Sequence, residues 1–78
     1  NKKQEIIEAC KNEQFQAFGL HQVNRLATID GFKYHFDNDE WIMIRPSGTE
    51  PVLRVYCEAE SYDRVSLLLS AVKETILN

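Results

Sequence analysis

Seven consecutive residues, Arg45-Pro46-Ser47-Gly48-Thr49-Glu50-Pro51, bring together a guanidinium, two hydroxyls separated by a glycine, and two prolines that stiffen the ends. These are the parts of an oxyanion cradle. Arginine offers a planar fork of donors matched to phosphate or carboxylate. Serine and threonine add short hydroxyl donors, and glycine lets backbone N–H groups come close to an anion. An ordinary tight turn rich in Pro, Ser and Gly is the competing reading. Neither hydroxyl has a base beside it, since no His or Lys lies in the motif to activate a nucleophile. Glu50 is better suited to orienting Arg45 or capping a loop N–H than to general-base work. No pair of carboxylates is arranged for acid–base catalysis. The chemistry these residues support by themselves is binding, not bond-making.

The flanking residues must position the cradle. Trp41 to Ile44 and Val52 to Cys57 are short apolar runs of strand length and richness. Period-two alternation puts Trp41, Met43 and Arg45 on one face of the first run and Ile42 and Ile44 on the other. In the second, Val52, Arg54, Tyr56 and Glu58 share a face, opposite Leu53, Val55, Cys57 and Ala59. The aliphatic sets are expected to face the core, so Arg45 and Arg54 project together from the other side. Two like charges beside one loop raise the free energy unless an anion sits between them. This favours the anion site over the plain turn.

The uninterrupted Arg-Pro-Ser-Gly-Thr-Glu-Pro run, followed by Leu53-Arg54-Val55-Tyr56 and a helix, resembles the phosphate-binding loop of the α-D-phosphohexomutases. That family includes phosphoglucomutase/phosphomannomutase and the phosphoglucosamine and phosphoacetylglucosamine mutases. The resemblance extends over essentially the whole chain and is to the fourth, C-terminal domain. It implies a TATA-box-binding-protein-like fold. It also implies an enzyme that interconverts hexose 1-phosphate and hexose 6-phosphate through a phosphoserine and a bisphosphorylated sugar. Bound Mg2+ and a glucose 1,6-bisphosphate-type activator come with that resemblance, as do three preceding domains that hold the phosphoserine, the metal and the loop reading the sugar hydroxyls. By resemblance, Arg45, Ser47, Gly48 and Thr49 contact the phosphate that is not being transferred, with Arg54 assisting and Glu50 supporting the loop. No catalytic residue and no metal ligand is expected in this stretch, so the domain alone should be inactive.

The rest of the chain is read around that loop. Lys2 to Phe18 has an amphipathic pattern, with Ile6, Ile7, Cys10, Gln14, Ala17 and Phe18 near one stripe, and predicts a helix closed by Gly19. Val23 to Ile29 and Phe32 to Phe36 predict two strands joined at Asp30-Gly31, a dipeptide that favours hairpins. Asp37-Asn38-Asp39 is a second turn; it lacks the glycine and closing glutamate of a calcium loop. His21 and His35 have no partnered ligand spacing, so no metal site is proposed on them. Ser61 is an N-cap and Asp63 a first-turn acid for a second helix with Val65, Leu68, Leu69, Val72 and Ile76 along its apolar stripe. The expected architecture is α+β: a two-layer sandwich of four antiparallel strands with two helices on one face. The other sheet face, carrying Trp41, Met43, Arg45, Arg54 and Tyr56, is left to contact a substrate or other domains.

Composition limits the alternatives. At 78 residues the chain is a single small domain, 1–78, and its 44% hydrophobic and 27% charged content is that of a globular fold, not a disordered one. A net charge of −3 with no Lys/Arg run argues against a nucleic-acid partner. No apolar run reaches membrane-spanning length. Cys10 and Cys57 both fall on apolar faces and are expected to be reduced, buried thiols, compatible with a cytoplasmic protein. The chain starts at Asn1 with its only methionine at 43, so it is expected to be part of a larger multidomain enzyme. The resemblance implies the C-terminal domain of a phosphoglucomutase/phosphomannomutase; a free-standing phosphate- or phosphosugar-binding module and the C-terminal domain of an amino-sugar phosphomutase are the alternatives. A phosphosugar substrate is the expected partner in each case.

Overall fold

The computed structural model describes residues 2–48 and 52–77. Helix α1 spans Lys2–Lys11. A small antiparallel pair follows, β1 (Ala17–Phe18) and β2 (His21–Gln22). Four strands then form one antiparallel meander: β3 (Arg25–Ala27), β4 (Phe32–His35), β5 (Trp41–Pro46) and β6 (Leu53–Glu58), lying side by side in chain order. Helix α2, Tyr62–Leu77, closes the chain. Both helices pack on one sheet face, giving the expected two-layer α+β architecture.

The first helix is shorter than its apolar periodicity predicts. It stops at Lys11 because Glu13 takes a positive φ of 54° and the next two N–H groups fold back, Glu13 to the Cys10 carbonyl at 3.1 Å and Gln14 to Ala9 at 2.9 Å. This pair of bonds is a Schellman ending, with glutamate where glycine is usual. The chain is then free to extend, and Phe18 enters the core as a strand residue instead of a helical one. Its ring meets Tyr34 edge-on at 5.0 Å and Phe36 at 6.2 Å. Gly19, expected as a helix terminator, instead takes the first position of the two-residue β1–β2 turn with φ +62°, as a tight hairpin favours. The β3–β4 hairpin is also shorter than expected. Ala27 pairs with Lys33, and Ile29 is 92% exposed in the connecting loop instead of lying in a strand. Gly31 there has φ +146°, and a Cβ on it would meet the Ile44 carbonyl oxygen at 3.1 Å, so both conformation and space demand glycine.

The core lies between the sheet and the helices. Ile42, Ile44 and Leu68 are fully buried, and Ile6, Cys10, Phe18, Tyr34, Phe36, Val72 and Ile76 complete the cluster. Among these is the Tyr34 hydroxyl, buried beside the Cys10 thiol without a well-formed hydrogen bond. Burial raises the Cys10 and Cys57 thiols above their ordinary value, and both are free and protonated at neutral pH. No helix of the described residues is long and apolar enough to cross a membrane.

One buried charge was not legible in the sequence. Glu40, just before β5, is 2% exposed and receives two bonds from Arg64 of α2, Nε to Oε2 at 3.1 Å and Nη2 to Oε1 at 2.7 Å. Ser61 caps the same helix end, accepting from the Arg64 N–H at 3.3 Å. The bidentate pair therefore locks the start of α2 to the start of the central strand. The Arg64 hydrogen bonds lower the Glu40 pKa, against burial, which raises it. A lowered folded value means that this contribution is complete above the ordinary carboxylate value and is lost as pH falls through the lower folded one. Arg64→Ala is expected to lower Tm at pH 7 by on the order of 10 °C, because it strands a buried carboxylate. Thermal melts from pH 7 to pH 3 should show the gap to wild type narrowing with acid. A gap that stays constant would count against the pair as its source.

Candidate functional site

The site is built by the far ends of β5 and β6. Ile42 and Ile44 point into the core, so the pleat turns Trp41, Met43 and Arg45 to the other face, as the alternation predicts. The register then sets Arg45 directly opposite Arg54 and Met43 opposite Tyr56. Opposed residues in an antiparallel pair lie about 5 Å apart at Cα. Both arginines are exposed, and neither forms an ion pair with a described carboxylate. Beyond them the chain leaves β5 as a loop closed at its base by the Ser47 N–H donating to the Val52 carbonyl at 3.2 Å.

Arg45, Pro46, Ser47, Gly48, Arg54 and Tyr56 line an open depression of ≈310 Å3. Of the residues singled out in the sequence, the structure thus brings together Arg45, Ser47, Gly48 and Arg54; Thr49 and Glu50 lie outside the described residues. Gly48 is informative. It does not have a positive φ, and a Cβ on it would meet no described atom within 4 Å, so the described fold itself gives no reason for glycine there. A glycine for which the described residues give no steric need is one that a ligand can use, by close approach to the backbone.

Sequence reasoning missed one participant. Lys3, at the start of α1, donates from Nζ to the Ser47 carbonyl at 3.0 Å, tying the helix layer to the loop across 44 residues of sequence. No local pattern encodes that contact. Lys3 also borders a larger groove of ≈520 Å3 between α1, β6 and α2, floored by Ile6, Leu53, Val55 and Val72. Among the described residues that line it, Lys2, Lys3 and Lys73 stand around an otherwise apolar wall with no hydroxyl or guanidinium, so it lacks the donor set of the loop.

The wider sheet face adds a long-range field. In register, Arg25, Lys33, Arg45 and Arg54 share this face with Glu58 as the single carboxylate among its described strand residues, on a chain whose net charge is −3. Basic residues that are scattered in sequence are gathered by strand pairing into one surface, which attracts anions towards the loop. His35 reports that field. Its pKa is lowered by burial first and then by the neighbouring Arg25 and Lys33. Lys33 also lies over the Trp41 ring, 4.2 Å from its centroid, a cation–π contact on one ring face. Among the described residues no three His, Cys, Asp or Glu side chains come together as a group that could hold a metal ion, so these residues offer Mg2+ no ligand set.

A family profile described as phosphoglucomutase/phosphomannomutase, C-terminal domain, matches residues 4–75. The chain belongs to this family. Its relatives include a probable phosphoglucosamine mutase of Methanosphaera stadtmanae, 31% identical over 78 residues, which is 100% of this chain and 17% of that protein. A phosphopentomutase of Thermococcus kodakarensis is 38% identical over 55 residues, covering 70% of this chain and 12% of the relative. A phosphomannomutase of Salmonella muenchen is 35% identical over 63 residues, covering 81% and 13%. The chain thus spans less than a fifth of the length of the curated relatives it matches.

Gly48→Ala tests whether the loop glycine serves the fold or a ligand. Stability in urea is expected to change by no more than about 0.5 kcal/mol, because the added methyl meets no described atom within 4 Å. Inorganic phosphate binding, followed by amide shifts, should weaken at least severalfold. A variant that unfolds, or one that binds phosphate unchanged, would remove Gly48 from the site.

Proposed function

We propose that this chain is the C-terminal phosphate-binding domain of a larger multidomain phosphohexomutase. That enzyme would interconvert hexose 1-phosphate and hexose 6-phosphate by way of a phosphoserine and a bisphosphorylated sugar. The observation that carries the reading is the cross-strand placement of Arg45 opposite Arg54 at the mouth of the Ser47-Gly48 loop, with no described carboxylate paired to either. Directly opposed like charges are unfavourable by a few tenths of a kcal/mol to about 1 kcal/mol, and a bound phosphate reverses that sign.

In this reading Arg45 and Arg54 grip phosphate oxygens with their guanidinium forks. Ser47 and Thr49 add hydroxyl donors, Gly48 admits the phosphate to the backbone, and Glu50 orients Arg45. The phosphate held here is the one not being transferred. An intermediate that turns end for end must be gripped from either carbon, so a clamp that reads phosphate and ignores ring stereochemistry is what the reaction requires. The relatives' names support this, because they run from glucosamine to mannose to pentose while sharing this domain. The phosphoserine, Mg2+ and the response to a glucose 1,6-bisphosphate-type activator belong to the three preceding domains, and the domain alone is inactive. With Cys10 and Cys57 both free, the proposed location is the cytoplasm. A phosphoglucomutase/phosphomannomutase is the proposed enzyme, with an amino-sugar phosphomutase as the alternative, which the phosphoglucosamine mutase aligned over the full chain supports.

Amide NMR titration of the chain with inorganic phosphate, glucose 1-phosphate and glucose 6-phosphate tests the clamp. Arg45, Ser47 and Gly48 should shift together with all three, with Kd on the order of a millimolar or weaker for one clamp lacking its opposing domains. In the complete enzyme, Arg45→Ala should raise KM and lower kcat/KM by roughly 100-fold, the loss of one charge-assisted bidentate contact, with the fold intact. Full activity in that variant, or no shift at the loop with any ligand, would sink the reading.

A further inference from the structure

Tyr56 stands next to the anion groups and lies outside the buried core cluster. It lies on β6 two residues beyond Arg54, on the same face, about 7 Å further along the strand. Its side chain faces away from the helix layer, is 39% exposed, and forms part of the wall of the depression that holds Arg45, Ser47, Gly48 and Arg54. The other large aromatic of this face, Trp41, already has the Lys33 ammonium over its ring. Tyr56 makes no ring–ring or cation–π contact with any described residue. An open aromatic ring beside two guanidiniums, stacked on by neither, is an unfilled apolar wall in a polar site.

We infer that Tyr56 is the platform on which the sugar ring of the phosphosugar lies while its phosphate is held at Arg45 and Arg54. The inference rests on the phosphate-clamp reading and extends it to the rest of the ligand. A phosphate at the Arg45–Arg54 rung has its ester oxygen and first carbon within reach of the next outward residue along β6. A pyranose presents C–H groups on its faces and hydroxyls around its rim. An aromatic wall therefore contacts the face by dispersion and burial without reading any one hydroxyl. Such a contact is nearly the same whichever end of the sugar carries the gripped phosphate. The clamp's indifference to ring orientation is thus continued by its neighbour, while discrimination between sugars is left to groups elsewhere.

The test compares the wild-type chain with Tyr56→Ala, Tyr56→Phe and Tyr56→Leu, titrated with inorganic phosphate, glucose 1-phosphate and glucose 6-phosphate and read by amide shifts at Arg45, Ser47 and Gly48. Tyr56→Ala should weaken both sugar phosphates about threefold to tenfold and leave inorganic phosphate within about twofold. Tyr56→Phe should match wild type, because the ring and not its hydroxyl makes the contact, and Tyr56→Leu should fall between. Equal weakening of inorganic phosphate would make Tyr56 a support for the loop and overturn the inference. Unchanged sugar-phosphate binding in Tyr56→Ala would overturn it too, as would loss of only one of the two sugar phosphates. In each of these cases phosphate still binds and the clamp stands. A wild-type chain that shifts with none of the three ligands would remove the clamp and the platform together.

Discussion

The pleat of β5 is the constraint from which the site follows. Ile42 and Ile44 are driven into the core, each contributing about 1.5–3 kcal/mol on burial. Because side chains alternate strictly, that burial forces Arg45 out on the opposite side. A slip of one residue would expose both isoleucines and bury the arginine, so the register is held by far more than the cost of setting Arg45 against Arg54. The fold can therefore maintain an unfavourable pair of charges in a fixed geometry. In the proposed function, what is slightly repulsive in the free protein becomes a preformed fork for an anion.

The site sits on strand ends, and the groups around it limit its freedom. Ser47 is held through its N–H by Val52 and through its carbonyl by Lys3, so the loop base is tied both to the sheet and to α1. At the other end of β5, Glu40 is clamped by Arg64, which fixes α2 to the same strand. The central strand is thus anchored at both ends by polar contacts and along its length by apolar ones. A clamp that must place a phosphate without the help of a large surrounding surface gains from that rigidity, because little ordering remains to be done on binding. The basic sheet face extends the same logic to longer range, since it concentrates anions before any contact is made.

The chain's chemistry and its partners divide in a consistent way. A small domain with an acidic total charge presents one basic, partly aromatic face, and relatives named for different sugars match this chain over most of its length. Such a face suits recognition of what those ligands have in common, a phosphate and a ring, and not what distinguishes them.

Much of this was legible in the sequence because it is local. Alternation in 41–45 and 52–59 set the faces of both site strands, the Ser61 cap and its apolar stripe set α2, and the loop's residue types supplied the donors on which the proposed clamp rests. Where periodicity was ambiguous, tertiary packing decided. The stripe Ile6, Cys10, Ala17, Phe18 suits a long helix, yet insertion of Phe18 among Tyr34 and Phe36 outweighs continuing it, and the chain turns at Glu13 to allow that. The Glu40–Arg64 lock and the Lys3–Ser47 tie join residues 24 and 44 positions apart, a range over which no spacing rule operates. The gathering of Arg25, Lys33, Arg45 and Arg54 on one face likewise needed strand pairing to exist. Residue types and short-range periodicity thus determined which groups were available and which way each strand faced. Only the tertiary structure decided which of them meet, because those meetings depend on register and long-range burial.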